Sequence, residues 1–342
     1  MKLHIFNPEH DIALAFGGKY FTAPRAGRRL RHDLCYLPVL WADDGDCILV
    51  DDVEYARVEA ACLPVMLPDV RFVTLSELSS LADNSDLLRV SSWGWDAAIA
   101  FQLLKHGVPE ILLPSESQLS AIRDVSSRRW AAINLGNSGI CCETLEELRG
   151  WAERFGRFVL KAPWSSSGRG VRYKEDWPWA GKIIEQQGGI MIEPFYDKEL
   201  DFGMEFHSTV EGEGVYDGLS LFDTSNGAYV GNVLACEEEK ERMLCRYVPI
   251  EVLHEVRQNI ISKMTHAIRN IYVGPFGVDM MVCRDKGRWK LVSCVELNLR
   301  CTMGHVANNL YNRLRPDFKK RICTMKIEFR NNRYNLDIQQ YN

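Results

Sequence analysis

The chain has 342 residues, 46% hydrophobic and 25% charged, the balance of a folded globular protein long enough for two or three packed modules. Its 41 basic and 46 acidic residues leave a net charge of −5, which argues against nucleic acid or an anionic membrane as a partner. No apolar run approaches the roughly 18 residues of a membrane span. The start, Met1-Lys2-Leu3-His4-Ile5-Phe6, reads as a strand and not as a secretory signal. The 11 cysteines are scattered without C-x-x-C spacing, so reduced thiols in a cytoplasmic protein are expected.

The first 114 residues alternate strand and helix signals. Strands are predicted at Leu3–Phe6, Cys47–Val50, Arg71–Leu75 and Leu87–Val90. Helices are predicted at Arg25–Leu40 (opened by Pro24), Val53–Cys62, Ser76–Leu81 and Asp96–Lys105. This βαβα order implies a small parallel sheet with covering helices, an N-terminal α/β domain over residues 1–114. Residues 115–192 read differently: helices Gln118–Val125 and Arg128–Leu135, strand Ile140–Cys142, helix Leu145–Phe155 and strand Phe158–Ala162. The loop Pro163–Gly170, a short extended stretch from Val171, helix Trp179–Gln187 and strand Ile190–Glu193 follow. Residues 193–342 carry strands around Leu200–Glu205, Val215–Leu221 and Ala228–Leu234, the helix Val252–Ile271, a hairpin, and strand material at Lys326–Phe329. The fold class is therefore α/β followed by α+β with mainly antiparallel sheets.

The hairpin carries the strongest chemical signal. Asp279 lies in GVDMMV and Glu296-Leu297-Asn298 in VELNLR, both apolar strand runs. Carboxylates there are costly to bury unless they hold something positive. A two-residue turn at Gly287-Arg288 places Asp279 opposite Glu296, with Asn298 two residues on and on the same face. A turn centred on Lys286 pairs Asp279 with Ser293 instead, and the sequence leaves both registers open. Oxygen ligands on rigid strands suit Mg²⁺, which takes further ligands from water and substrate phosphates.

A second signal is Lys161 at the end of the strand Phe158-Val159-Leu160, followed by Ser165-Ser166-Ser167-Gly168-Arg169-Gly170. Such a loop can present backbone N–H groups to phosphate, with the lysine adding a point charge. A flexible hairpin connection explains the same residues. No Gly-Lys-Ser/Thr or helix start follows, so this is not a Walker A loop.

Together these pieces resemble the ATP-grasp superfamily over about residues 115–310: strand lysine Lys161, the SSSGRGV loop, hinge acid Glu193, second acid Glu199, strand Asp279 and Glu296-Leu297-Asn298. The resemblance implies an N-terminal domain followed by a two-module ATP-grasp fold, split at 115–192 and 193–342. It implies that Lys161, Ser165 and the backbone of Ser166, Ser167, Gly168, Arg169 and Gly170 hold ATP phosphates. Adenine would sit at the hinge Glu193-Pro194-Phe195-Tyr196, using the Pro194 carbonyl and the Tyr196 N–H, and Glu199 would take the ribose. Asp279, Glu296 and Asn298 would carry Mg²⁺, with Mn²⁺ as the alternative ion. Arg300 matches an arginine near the transferred phosphoryl group, so Arg300 and Lys161 are the expected catalytic cations. Where relatives carry an early phosphate-binding lysine, this chain reads Ser126-Ser127-Arg128-Arg129-Trp130, and Arg129 is the expected counterpart.

Other residues admit functional and structural readings alike. Asn7-Pro8-Glu9-His10-Asp11 follows the first strand, where ligands often bind, and where helix caps also occur. Arg25, Arg28, Arg29, Arg31 and His32 cluster and could meet an anion or form a solvated face. Asp96 reads as an N-cap, and Trp93, Glu205, Asn232, Thr224, His207 and His305 are further candidates with packing alternatives. The expected activity is an ATP-dependent ligase joining a small-molecule or peptide carboxylate to an amine or thiol through an acyl phosphate. A kinase acting on a small acceptor and a non-catalytic nucleotide-binding module remain alternatives. A homodimer is expected by analogy alone.

Overall fold

The computed structural model describes residues 1–83, 87–165, 170–225 and 228–340. The chain divides into two compact units: Met1–Ile122 with Gly231–Glu237 and Arg300–Asn342, and Arg123–Val230 with Glu238–Leu299.

The first unit opens with strands and helices in alternation: β1 (Lys2–Ile5), α1 (His10–Phe16), α2 (Arg25–Asp33), β2 (Cys47–Leu49), α3 (Val53–Ala61), β3 (Arg71–Val73), α4 (Leu78–Asp83), β4 (Arg89–Ser92) and α5 (Ala97–Lys105). The strands form a parallel sheet in the order β3-β2-β1-β4. The sheet grows to one side of β1 and then to the other, so the loops after β1 and β4 leave the same edge at the point where the order reverses. Asp96 caps α5 as expected, accepting from Ala98 N at 2.9 Å and Ile99 N at 3.0 Å. Helix α2 stops at Asp33, short of the expected Leu40, and Leu37–Leu40 forms a separate 3₁₀ turn. Pro38 is the reason: it has no N–H to give the Leu34 carbonyl four residues back, and its ring would clash with that carbonyl in a continued helix.

Helix α6 (Glu116–Val125) leads into the second unit. There α7 (Arg128–Asn134), β5 (Ile140–Cys142), α8 (Leu145–Phe155), β6 (Phe158–Lys161), β7 (Val171–Arg172), α9 (Trp177–Gln187) and β8 (Ile190–Pro194) build an antiparallel sheet in the order β5-β8-β6-β7. On one face Leu160, Ile190 and Ile192 pack with Leu148 and Ala152 of α8 and Ala180 and Ile183 of α9. Strand alternation puts Lys161 and Glu193 on the other face.

A larger sheet follows from β9 (Asp197–Ser208), β10 (Gly214–Ser225), β11 (Ala228–Leu234), α10 (Glu237–Leu244), α11 (Ile250–Ile268), β12 (Gly274–Asp285) and β13 (Arg288–Asn298). Strands β13-β12-β9-β10 are antiparallel neighbours within the second unit. Phe202, Met204, Phe206, Phe276, Val278 and Met280 are buried on one face, with the Phe206 and Phe276 rings stacked at 5.1 Å. Helix α11 packs on β9 and β10, burying Leu253, Ile260, Met264 and Ile268. Each such side chain contributes about 1.5–3 kcal/mol, so this face carries much of the unit's stability.

The chain then rejoins the first unit with α12 (Met303–Arg313), β14 (Cys323–Arg330) and β15 (Arg333–Gln340), where β14 pairs with both β11 and β15. Leu234, Val306, Leu310, Leu314 and Met325 share one core with Phe6, Leu37, Leu40, Ile48 and Trp93. The division thus differs from that expected at 114 and 192. The first cut falls after Ile122, residues 192 and 193 lie together, and residues 300–342 belong with the N-terminal residues because their apolar faces complete that core. Among the described residues no helix is long and apolar enough to cross a membrane.

Candidate functional site

The β12–β13 hairpin pairs Asp279 with Glu296 and Gly277 with Asn298, and its turn is neither of the two expected. Lys286 and Gly287 form it, both with positive φ (49° and 78°), the signature of a type I′ turn between Asp285 and Arg288. Continued unbroken, that register would set Asp279 against Cys294. A bulge intervenes: between the pairs Met281–Val292 and Asp279–Glu296, β12 contributes Met280 alone and β13 contributes Ser293, Cys294 and Val295.

Strand β9 extends the polar face. Gly203 pairs with Asp279, and Glu205 pairs with Gly277. One row therefore reads Gly203, Asp279, Glu296 and the next Glu205, Gly277, Asn298. Asn298 Nδ2 donates to Asp279 Oδ2 at 3.0 Å. Glu205 is buried, and a Cβ on Gly203 would lie 3.2 Å from its Oε1 and 3.5 Å from Asp279 Oδ1. The glycines thus leave room between carboxylates. Among the described residues no three His, Cys, Asp or Glu side chains are grouped to hold a metal by themselves. A hard cation here would complete its shell from Asn298, water and ligand oxygens, a donor set that fits Mg²⁺.

Lys161 and Arg128, in the same unit, are both tied to β13, the first through Glu193 and Asn137. Lys161 Nζ donates to Glu193 Oε2 at 2.6 Å, both side chains being buried. Asn137 Nδ2 reaches Val295 O at 3.0 Å and Glu193 Oε1 at 3.4 Å, tying the small sheet to β13. Arg128 opens α7 with its side chain only 4% exposed. Its NH2 donates to Glu296 Oε1 at 2.6 Å, and its NH1 donates at 2.7 Å to both Ala162 O and Ser165 Oγ, at the base of the Ser/Gly loop. Cys294 sits among these charges. Burial pushes its thiol up to about 12, helped by the Glu193, Asp279 and Glu296 carboxylates and opposed by Lys161.

No protein-family model matches the chain, and no curated protein sequence matches it. Solved structures do. N5-carboxyaminoimidazole synthetase from Staphylococcus aureus, complexed with ADP, is 12% identical with a TM-score of 0.52, the match covering 96% of this chain and 82% of that one. A biotin carboxylase–beta-gamma-ATP complex from Campylobacter jejuni is 12% identical with a TM-score of 0.51 over 95% and 75% of the two chains. A structure described as an ATP-grasp superfamily protein, from Archaeoglobus fulgidus, is 13% identical with a TM-score of 0.50 over 100% of both. This chain has the ATP-grasp fold. At these identities the likeness is one of fold.

The other residues expected at an ATP-grasp site are placed as follows. Ser166, Ser167, Gly168 and Arg169 lie outside the described residues. Gly170 is described, and a side chain on it would collide with Ser165. At the hinge, Pro194 ends β8 opposite Phe158, and the Phe195 N–H donates to Arg157 O at 2.9 Å with the Arg157 guanidinium 4.1 Å above its ring. Tyr196 packs with Val295 against Met281, Cys283 and Val292, and its hydroxyl lies 2.5 Å from Ser138 Oγ. Glu199 is exposed where the β9–β12 register shifts, 4.0 Å from Arg284 Nε. Arg129 points outward to Glu143 at 2.9 Å, whereas its neighbour Arg128 turns into the site. Arg300 belongs to the first unit, where Nε and NH2 grip both oxygens of Asp11 at 2.9 Å.

Sequence reasoning passed over Arg128 and Asn137. Helix phase was the available signal for the first: Arg128, Ala131 and Leu135 form the buried stripe, while Ile133 is 73% exposed. Several remaining candidates are structural. His305 and Thr302 form a capping box for α12, His305 N donating to Thr302 Oγ1 and Thr302 N to His305 Nδ1, each at 3.2 Å. Thr224 Oγ1 bridges Lys198 and Asp201 at 2.6 Å each, and His207 Nδ1 lies 2.7 Å from Asp217.

Proposed function

We propose that this protein is an ATP-dependent ligase that joins a carboxylate to an amine or thiol. The supporting observation is Arg128 bonded to Glu296 beside Asp279 and Asn298, with the buried Lys161–Glu193 pair tied to the same strand through Asn137, all within one compact unit. Phosphate-binding cations beside oxygen-rich metal ligands are what a triphosphate and its Mg²⁺ require. Two structures of the same fold, at low identity, were solved with ADP and as a beta-gamma-ATP complex, which agrees with this assignment.

In this reading Lys161, Arg128 and the Ser165–Gly170 loop hold the phosphates, and Arg128 takes the role first expected of Arg129. Adenine lies along Pro194–Tyr196 on the apolar group of Tyr196, Met281, Cys283, Val292 and Val295, and Glu199 takes the ribose. Asp279, Glu296 and Asn298 would hold Mg²⁺, which neutralises charge on the phosphates when bound. The substrate carboxylate attacks the γ-phosphorus, releasing ADP and forming an acyl phosphate. The nucleophile then displaces inorganic phosphate to give an amide or thioester. The side chains do no covalent work; Lys161 and Arg128 position the phosphates and stabilise developing negative charge.

The test is an ADP-release screen with Mg²⁺ over small carboxylic acids and short peptides, with hydroxylamine as trap. An acyl phosphate yields a hydroxamate. A stable phosphorylated product would make the protein a kinase, and no turnover with any acid would overturn the ligase reading. Full turnover in the Asp279→Asn, Glu296→Gln double variant would overturn the metal assignment.

A further inference from the structure

A second set of polar residues lies in the first unit, in the loops that follow β1 and β4. Much of it is internally matched. Asn7 Nδ2 donates to Gly94 O at 2.8 Å and approaches Asp96 Oδ2 at 3.4 Å, while His10 Nδ1 lies 3.2 Å from the same carboxylate oxygen. Gly94 makes room for the His10 ring, since a side chain there would overlap it. These contacts fix the two loops against each other.

Glu9 and Arg31 are different. Arg31 NH1 donates to Glu9 Oε1 at 2.7 Å, and the Glu9 side chain is only 7% exposed. Glu9 Oε2 and Arg31 Nε are both buried and have no hydrogen-bond partner among the described residues. The hydroxyl of Ser92, at the carboxyl end of β4, is a third such atom. An unmatched buried polar atom costs about 1–3 kcal/mol, and folded proteins keep few. Here an acceptor and a donor flank a single ion pair, at the sheet edge where the strand order reverses and where open α/β sheets take ligands.

We propose that Glu9 and Arg31 form a recognition site for an amino acid, its ammonium group donating to Glu9 Oε2 and its carboxylate accepting from Arg31 Nε. This rests on the ligase reading and narrows it, because an amino acid then supplies one of the two joined groups. A hydroxyl could satisfy the same two atoms, but charge distinguishes the ligands. Burial raises the Glu9 carboxyl above its ordinary range although the Arg31 guanidinium lowers it, and an ammonium at Oε2 would favour the charged form further where a hydroxyl would not. Gly27 lets α2 approach Glu9, where its Cβ would stand 3.4 Å from Glu9 Cβ. That helix carries Arg25, Arg28 and Arg29 besides Arg31, against Asp33 as its single acid, which favours an anionic group on the Arg31 side.

The full chain is tested by thermal unfolding with millimolar amounts of each proteinogenic L-amino acid, with Mg·ADP as an independent ligand of the second unit. At least one amino acid is expected to raise Tm by about 2 °C or more. The matching acid without its amino group and the matching amine without its carboxylate should each fail to do so. Glu9→Gln should weaken the response at least about tenfold in Kd and leave the Mg·ADP shift intact. Arg31→Lys keeps the charge without a nitrogen at the Nε position, and should lose the response in the same way should Glu9→Gln not fold. A normal Mg·ADP shift with no response to any amino acid overturns the site, as does wild-type amino acid affinity in either variant. A lost Mg·ADP shift with an intact, Glu9-dependent amino acid response would sustain the site and overturn the ligase reading.

Discussion

The contact that most sharply tests the nucleotide-site geometry is the ion pair between Arg128 and Glu296. Their closest nitrogen and oxygen are 2.6 Å apart, with the arginine side chain 4% and the glutamate 28% exposed. Charge centres about 4 Å apart attract by about 4 kcal/mol at an effective dielectric near 20. Desolvation and the partial exposure of Glu296 remove roughly half, leaving a coupling of about 2 kcal/mol. Arg128→Met also strips Ala162 O and Ser165 Oγ of their donor, so it should cost about 3 kcal/mol, and Glu296→Gln about 1–2 kcal/mol. The double variant should lose about 2 kcal/mol less than the two losses added together. Urea unfolding of the four proteins without nucleotide measures this, and salt should change it little because the pair is largely buried. Mg²⁺ with ADP should shrink the coupling, since in the proposed complex Glu296 exchanges the guanidinium for the metal. A coupling below about 0.5 kcal/mol, the scatter of independent sites, would refute the pairing and with it the inward orientation of Arg128.

Three further outcomes are expected. Arg129→Ala should change stability by less than about 0.5 kcal/mol and leave ADP affinity unaltered by calorimetry, because its pair with Glu143 is exposed; a loss matching that of Arg128→Met would exchange the two roles. Gly203→Ala should change stability by less than about 1 kcal/mol, the entropy removed from the unfolded chain being offset by the methyl's pressure on the Glu205 and Asp279 carboxylates, and should lower turnover for that same pressure; retained turnover would show that the space between them is unused. The third concerns acid. Burial holds the His4 imidazole below its usual range although Asp46 lies 2.9 Å away, so the unfolded chain takes up its proton at higher pH than the folded one. Stability from this group is complete above about pH 6.5 and is lost as pH falls through the folded value. Burial alone would raise Asp46, but hydrogen bonds from His4, Lys2 N–H and Asp43 N–H hold it below the ordinary carboxylate range. Its contribution is lost at still lower pH, below about 4. His4→Gln should remove the upper of the two losses, read from urea midpoints across the acid range; an unchanged profile would exclude His4 as its source.

The β12–β13 pairing shows how far a sequence can be read. Asp279 does face Glu296, yet by a route that strand and turn rules did not trace. The turn uses Lys286 at φ 49°, and lysine carries no left-handed preference, so Gly287 attracted the turn to itself. The bulge at Ser293–Val295 then restores the pairing, and nothing in an apolar strand pattern marks where two extra residues are inserted. Strand β11 was legible to the residue and β5 equally so, being short apolar runs between turn signals. Helix α12 was not, because its capping box places His305 where Glu or Gln is the usual sign. The return of residues 300–342 to the first unit depends on a core assembled from segments hundreds of residues apart, which local periodicity does not encode.

The large sheet of the second unit divides its labour by face. Phe202, Met204, Phe206, Phe276, Val278 and Met280 lie under α11 and supply apolar burial. Opposite them, the alternate positions of the same strands hold Gly203, Glu205, Gly277 and Asp279, beside Glu296 and Asn298. Glycine there forgoes the cross-strand side-chain contacts that ordinarily stabilise a sheet, and adjacent carboxylates repel. A sequence selected for stability alone would place threonine or valine at such positions. The losses make sense together if the face is shaped for a charged ligand: small residues admit oxygen atoms close to the backbone, carboxylates hold a cation, and Arg128 and Lys161 stand at its border to neutralise anionic charge. The same reasoning applies to Glu9, whose buried, half-satisfied carboxylate costs the first unit stability that a bound ammonium group would return.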